Sequence, residues 1–261
     1  MSQHESRTVR HPLVFRRLQV REVTELTPHM RRIVVGGAEL EGFHSGAPDD
    51  HVKVFFPNPE GEYVTPTPGP DGPVFPEGKT PSPARDYTPR DYDPDAGTLA
   101  IDFVIHGDGP ASNWAEQARP GDAFAFGGPR GSFVAADDFD HYVLAGDETA
   151  LPAIGRWLEE MPAGRRATVL IEIPGDADRQ EITTRADTSI TWLPRNGADP
   201  AASRLLEEAM AGLAPEGDTF WWIACESARA RRMRMSLTDE RGVPKEWIRA
   251  IGYWKHAPQA G

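Results

Sequence analysis

Cysteine is nearly absent from this chain: Cys225 stands alone among 261 residues. One thiol excludes an internal disulfide and any Cys-based zinc or iron–sulfur site, so no metal site is expected. Long hydrophobic runs are missing too, and no stretch approaches the ~20 apolar residues that span a bilayer. The start, MSQHESRTVRHP, lacks the apolar segment of a secretory signal, which points to a cytoplasmic protein. Positive charge is scarce: 28 Lys and Arg face 40 Asp and Glu, a net charge of -12. That excludes a general nucleic-acid binder, which needs a basic footprint. Internal repeats and low-complexity tails are absent. What remains is 39% hydrophobic and 26% charged, enough for a packed core. The charge is uneven, because residues 229–255 hold eight Lys and Arg against three acids. Such a patch is either a solvated helix face or a site for one specific anion.

Two rhythms divide the chain. Segments 14–26, 30–37, 51–56, 98–106 and 122–128 alternate or carry β-branched residues between Gly and Pro clusters, as short antiparallel strands do. They predict an antiparallel β-barrel. Residues 61–84 contain seven prolines, which rules out a helix or a central strand and predicts a long surface loop, a linker or a lid. Beyond AADDFD (135–140), strands at 141–146, 167–173, 189–194, 219–225 and 247–254 alternate with helices at 149–161, 202–213 and 226–240. That order predicts a parallel sheet with helices on both faces. The expected fold class is β + α/β, with a barrel domain at 10–138 and a Rossmann-like domain at 139–261.

Three segments carry chemistry. In Arg85-Asp86-Tyr87-Thr88-Pro89-Arg90, a strand would put Arg85 and Tyr87 on one face. Arg offers a fork for phosphate and Tyr a stacking surface, as a planar phosphorylated cofactor requires. A surface strand with a salt bridge has the same composition. In Ile105-His106-Gly107-Asp108-Gly109-Pro110-Ala111-Ser112, a glycine loop opens a short helix, a place for an anion. Ser112 would bond the phosphate or cap the helix. In Gly146-Asp147-Glu148-Thr149, the first βα turn of the second domain is acidic. Acids there repel a pyrophosphate, so the turn suits ribose hydroxyls, or Asp147 or Thr149 is an N-cap.

Together with GGPRGSF (127–133), WIACES (222–227) and GYWKH (252–256), these segments, in this order and spacing, resemble the siderophore-interacting proteins, flavin-dependent ferric-siderophore reductases of the ferredoxin reductase-like group. The resemblance runs from Val14 to Trp254. It implies FAD on the barrel, with the flavin motif on Arg85, Tyr87 and Thr88. Its phosphate-binding segment falls on His106, Gly109, Pro110, Ala111 and Ser112, and its βα turn on Asp147, Glu148 and Thr149. It implies a ferric siderophore as substrate, Fe(II) released in the cytoplasm, and NADH, NADPH or ferredoxin as electron donor. Cys225 departs from it, standing where a small residue such as Gly is expected, and so does Ala257, which follows KH where Gly is commoner.

An anionic ferric chelate needs local positive charge on so acidic a protein. Lys53, Arg130, Arg249, Lys255 and His256 are the candidates to position it. A 2′-phosphate would need an Arg, for which Arg195 and the Arg229–Arg234 cluster are candidates, and the acidic turn predicts a weak preference for NADPH. A ferredoxin would dock on Arg229–Arg241. The alternatives are a general NAD(P)H- or ferredoxin-linked flavin reductase and a ferric-siderophore binding protein without turnover.

Overall fold

Side chains in the first half of Phe15–Thr27 alternate between buried and exposed, the period-two mark of a strand with one face on a core. The computed structural model of the chain describes residues 4–70, 72–107 and 109–256. The first half holds β1 (Arg7–Arg10), β2 (Phe15–Thr27), β3 (Met30–Gly36), β4 (Val52–Phe55), β5 (Thr67–Gly69), β6 (Gly72–Val74), β7 (Ala84–Tyr87), β8 (Asp91–Asp93) and β9 (Thr98–Val104). Helix α1 (Pro110–Gln117), β10 (Ala123–Gly127) and β11 (Gly131–Val134) follow. Seven of these strands form one antiparallel sheet in the order β7-β4-β10-β2-β3-β9-β8. Side chains bring its ends toward one another: Tyr87 of edge strand β7 lies 4.3 Å from Phe103 of β9, ring centre to ring centre. Phe56, Phe103, Phe124 and Phe126 are fully buried inside this barrel-like sheet, beside Ala111 and Ala115 of α1. Each buried ring contributes about 1.5–3 kcal/mol.

The proline segment differs from expectation. It contains a two-stranded ladder, β5 with β6, in which Pro68 faces Pro73. Opposed residues of an antiparallel pair alternate between exchanging hydrogen bonds and exchanging none. Two prolines fit opposite one another where no N–H is needed.

The second half holds β12 (His141–Gly146), α2 (Leu151–Glu160), β13 (Arg166–Ile173), β14 (Asp187–Pro194), α3 (Leu205–Ala211), β15 (Thr219–Glu226), α4 (Ser227–Met235) and β16 (Ile248–Trp254). The five strands are parallel, in the order β14-β13-β12-β15-β16, so the order reverses between β12 and β15. Helix α2 covers one face, with Trp157 6.1 Å from Phe220. Helices α3 and α4 cover the other through Leu206, Met210, Ala230 and Met233. Strand β15 is buried along its whole length, which explains its unbroken apolar run. Glycine is required at 146, the last residue of β12, because a Cβ there would lie 2.5 Å from that of Ala150 and 2.9 Å from the Ala224 carbonyl.

Among the described residues, 8–134 form one compact unit, and 4–7 with 135–256 form the other. In this second unit the His4 ring stacks on Phe139 at 4.1 Å. Its Nδ1 lies 2.8 Å from Asp138 Oδ1 and its Nε2 3.0 Å from Asp218 Oδ2.

Candidate functional site

Strand β7 pairs with β4 so that Val52 faces Tyr87, Lys53 faces Asp86 and Val54 faces Arg85. Arg85 and Tyr87 therefore share one face, as expected, and Lys53 is on the other. Arg85 is exposed, its Nη1 donating to the neighbouring Ala84 carbonyl at 2.8 Å. Tyr87 is half-buried against Phe103 and Phe56. Burial pushes its phenol far above the ordinary range, and Arg85 pulls the other way. Thr88 is buried. The strand stops before Pro89, which has no N–H to continue the ladder.

The glycine loop delivers an open helix end. Gly107 has φ 77° and Gly109 φ 89°, values that favour glycine, while a Cβ on either would meet only open space. The buried Ser112 hydroxyl accepts from the His106 amide at 3.0 Å and the Gly107 amide at 3.2 Å. It thus braces the loop from inside the first turn and does not cap the helix. Pro110 opens α1 without an N–H, and among the described residues no side chain caps the helix and no acid lies in its first turn. The donors at this end are the amides of Gly109, Ala111 and Ser112, together with the remaining Ser112 hydroxyl proton. His106 is exposed beside them. Among the described residues this helix start has no side-chain cap, and with open space at its glycine it fits the phosphates of a flavin nucleotide. The exposed Arg85 adds a fork for phosphate on the same unit, and Tyr87 suits the planar part of such a molecule.

The basic candidates fall in both units. Lys53 is half-exposed and pairs with Asp86 at 2.6 Å. Its cross-strand neighbour on β10 is Gly127, three residues before the exposed Arg130. These two cations therefore sit at adjoining strand ends. In the second unit, Arg249 is half-buried on edge strand β16, and Lys255 and His256 are exposed just past its end. Ala257 lies outside the described residues. Cys225 is fully buried in the core of this unit.

At the carboxyl edge of the parallel sheet the polar groups satisfy one another. Asp147 is 1% exposed. Its Oδ1 accepts from the Thr149 amide at 3.0 Å and hydroxyl at 2.5 Å, and its Oδ2 from the Trp254 indole at 2.8 Å. Burial pushes the Asp147 carboxyl up to about 6; Glu148 adds to the rise, and the bonds from Thr149 and Trp254 oppose it. Glu148 takes both terminal nitrogens of Arg195, at 2.5 and 2.7 Å. Arg195 also reaches Glu172 at 3.4 Å. Glu172 is fully buried and binds Arg229 at 2.7 and 3.0 Å, and Arg229 in turn binds Glu207.

This arrangement changes the expectations for the arginines. Arg195 and Arg229, nominated for a 2′-phosphate, are both buried in ion pairs. The anticipated docking face over Arg229–Arg241 is largely consumed within the unit. Arg229 is inside, Arg232 pairs with Glu207 at 3.3 Å, and Arg241 donates to the Met210 and Leu213 carbonyls and lies over Trp221. Arg231 and Arg234 remain exposed. Trp254 was not anticipated as a site residue; its place in GYWKH, after a Gly and before two cations at the end of the last strand, was the available signal.

The antiparallel barrel with an open helix end, followed by the five-stranded parallel unit, defines a ferredoxin reductase-like fold. Residues 19–133 match the siderophore-interacting FAD-binding domain, and residues 139–257 match the siderophore-interacting protein domain. The chain belongs to the siderophore-interacting protein family. It is 37% identical to the NADPH-dependent ferric-chelate reductase of Escherichia coli (strain K12), over 94% of this chain and 95% of that protein. It is 33% identical to the ferric vibriobactin reductase ViuB of Vibrio cholerae, over 88% of this chain and 85% of that one. The crystal structure of a siderophore utilization protein from T. fusca superposes with a TM-score of 0.89 at 39% identity, over 97% of both chains.

Proposed function

We propose that the protein is an FAD-dependent reductase that takes electrons from NADPH and delivers them to ferric siderophores in the cytoplasm. The observation that carries this reading is the uncapped start of α1, with Arg85 as an exposed fork for phosphate on the same unit. In this reading Arg85 and the amides of Gly109, Ala111 and Ser112 hold the phosphates, Tyr87 packs on the isoalloxazine, and Thr88 lines its reactive edge. A bound flavin accepts the two electrons of a hydride and passes them on singly. One NADPH then reduces two ferric chelates, giving NADP⁺, one proton and two ferrous ions. Hard Fe(III) prefers the oxygen ligands of siderophores, and Fe(II) is held less tightly, so reduction releases it.

The chain's own cations draw in an anionic chelate and orient it; no side chain acts as nucleophile or general base. Arg130 leads, since Asp86 partly neutralises Lys53. In the second unit Arg249, Lys255 and His256 are the basic candidates for a chelate. The named NADPH-dependent relative supports a nicotinamide donor. A ferredoxin would find few uncommitted cations on Arg229–Arg241. Selectivity for the 2′-phosphate depends on Arg195 exchanging Glu148 for the ligand, so the preference over NADH is small.

The test is anaerobic mixing of the purified protein with NADPH, then with a ferric siderophore and a ferrous-specific chromogenic chelator. Flavin absorbance should bleach and then recover, with two ferrous ions trapped per NADPH consumed. A protein that neither contains nor takes up flavin contradicts the proposal. A flavin bleached by NADPH but not reoxidised by the ferric chelate indicates a general flavin reductase instead.

A further inference from the structure

Trp254 ends edge strand β16, yet its indole reaches Asp147 beyond β12, with β15 between them. The two side chains and the bond between them together bridge two strand spacings, about 10 Å, across the carboxyl end of β15. Its backbone is held as well, because the Trp254 carbonyl accepts from Ser227 Oγ at 2.8 Å. Two features of the strand permit this. A Cβ on Gly252 would come 2.2 Å from that same Ser227 oxygen, so glycine makes room for the contact. The register also shifts between Cys225 and Glu226, which brings Trp254 opposite Glu226; such bulges re-aim a side chain. The residue is half-buried, which leaves part of the indole accessible. Asp147, by contrast, is buried with both oxygens engaged, and so has nothing left to offer a ribose.

Open α/β sheets bind ligands outside the carboxyl ends of the strands where the order reverses, here between β12 and β15. The adenosine ribose of a dinucleotide is read beyond the second strand of the first half, here β13. The nicotinamide end then falls on the side of β15 and β16, where the indole lies. We propose that Trp254 is the platform on which the donor's nicotinamide ring packs, and that Asp147 is the positioning residue that holds it there. This deepens, and rests on, the donor reading above. A planar indole gives a rigid stacking surface with few torsions to freeze.

The experiment titrates FAD-loaded protein calorimetrically with NADP⁺ and with ADP-ribose 2′-phosphate, which lacks only the nicotinamide. Wild type is compared with Asp147→Asn, Trp254→Phe and the double variant. NADP⁺ should bind about five- to tenfold more weakly in each single variant, with no further loss in the double. ADP-ribose 2′-phosphate should be unaffected. If Asp147→Asn does not fold, Trp254→Phe alone carries the comparison of the two ligands. Unchanged NADP⁺ affinity, equal weakening of both ligands, or additive losses in the double variant would overturn the inference and leave the donor reading standing. A wild type that binds neither ligand overturns both.

Discussion

The candidate sites of the two units treat their polar groups in opposite ways. In the barrel unit, Arg85 and Arg130 are exposed and the start of α1 has no cap. At the carboxyl edge of the parallel sheet, Asp147, Glu148, Glu172, Glu207, Arg195 and Arg229 are bonded to their own neighbours. The first pattern leaves donors exposed, as the proposed binding of a flavin's phosphates requires. The second is complete without a ligand, as suits a partner that binds, reacts and leaves. Nucleotide chemistry in this protein is therefore expected to be tight on the barrel and weak on the sheet.

Breaking the self-satisfied side should have the largest effect. Arg229→Met leaves the fully buried Glu172 without its strongest partner and should cost about 3–5 kcal/mol in urea denaturation. Adding Glu172→Gln should restore part of the loss. Flavin affinity should not change in either variant.

Open cations should behave differently. Neutralising Lys53, Arg130 and Lys255 together should raise KM for an anionic ferric siderophore roughly tenfold at low salt, without altering stability. Most of that effect should come from Arg130, because Lys53 already faces Asp86. A neutral ferric hydroxamate should be spared. Equal losses on both substrates would show that charge capture is not the role of these residues.

The smallest effect expected is a pH dependence at His4. Each of its ring nitrogens faces a different carboxylate, which requires both N–H protons and hence the charged ring. Burial lowers its pKa, but the bonds and charges of Asp218 and Asp138 outweigh this and leave it raised above 6.5. The folded state thus holds the proton more tightly than the unfolded one. The contribution is complete below 6.5 and disappears as pH rises through the raised folded value. Denaturation midpoints of wild type and His4→Gln should converge as the pH is raised; a constant gap would contradict the charged clasp.

Much of this division was legible beforehand. Period-two and helical patterns located the main strands and helices, and the spacing of Arg85 and Tyr87 put them on one face. The short strands β8 and β11 are too brief to carry a pattern, and β5 and β6 escaped because proline argues against strands unless two of them face each other. Ser112 was ambiguous because capping and loop bracing use the same spacing. The ion pairs were out of reach for a different reason. Arg229 and Glu172 are 57 residues apart in sequence, and only the strand order brings them together. The basic run 229–255 looked like an exposed patch because composition does not reveal which cations are already paired. Trp254 and Asp147, 107 residues apart, meet for the same topological reason.

The difference between the units is tested most directly by FAD affinity in the full chain, measured for wild type, Arg85→Ala and Glu148→Gln. Arg85→Ala should weaken FAD by about 1.5–3 kcal/mol, roughly 10- to 150-fold in Kd, with no loss of stability. Glu148→Gln should leave it within about twofold, because the acidic turn has no share in holding the flavin. Wild-type FAD affinity in Arg85→Ala, or an equal loss in Glu148→Gln, would contradict the account.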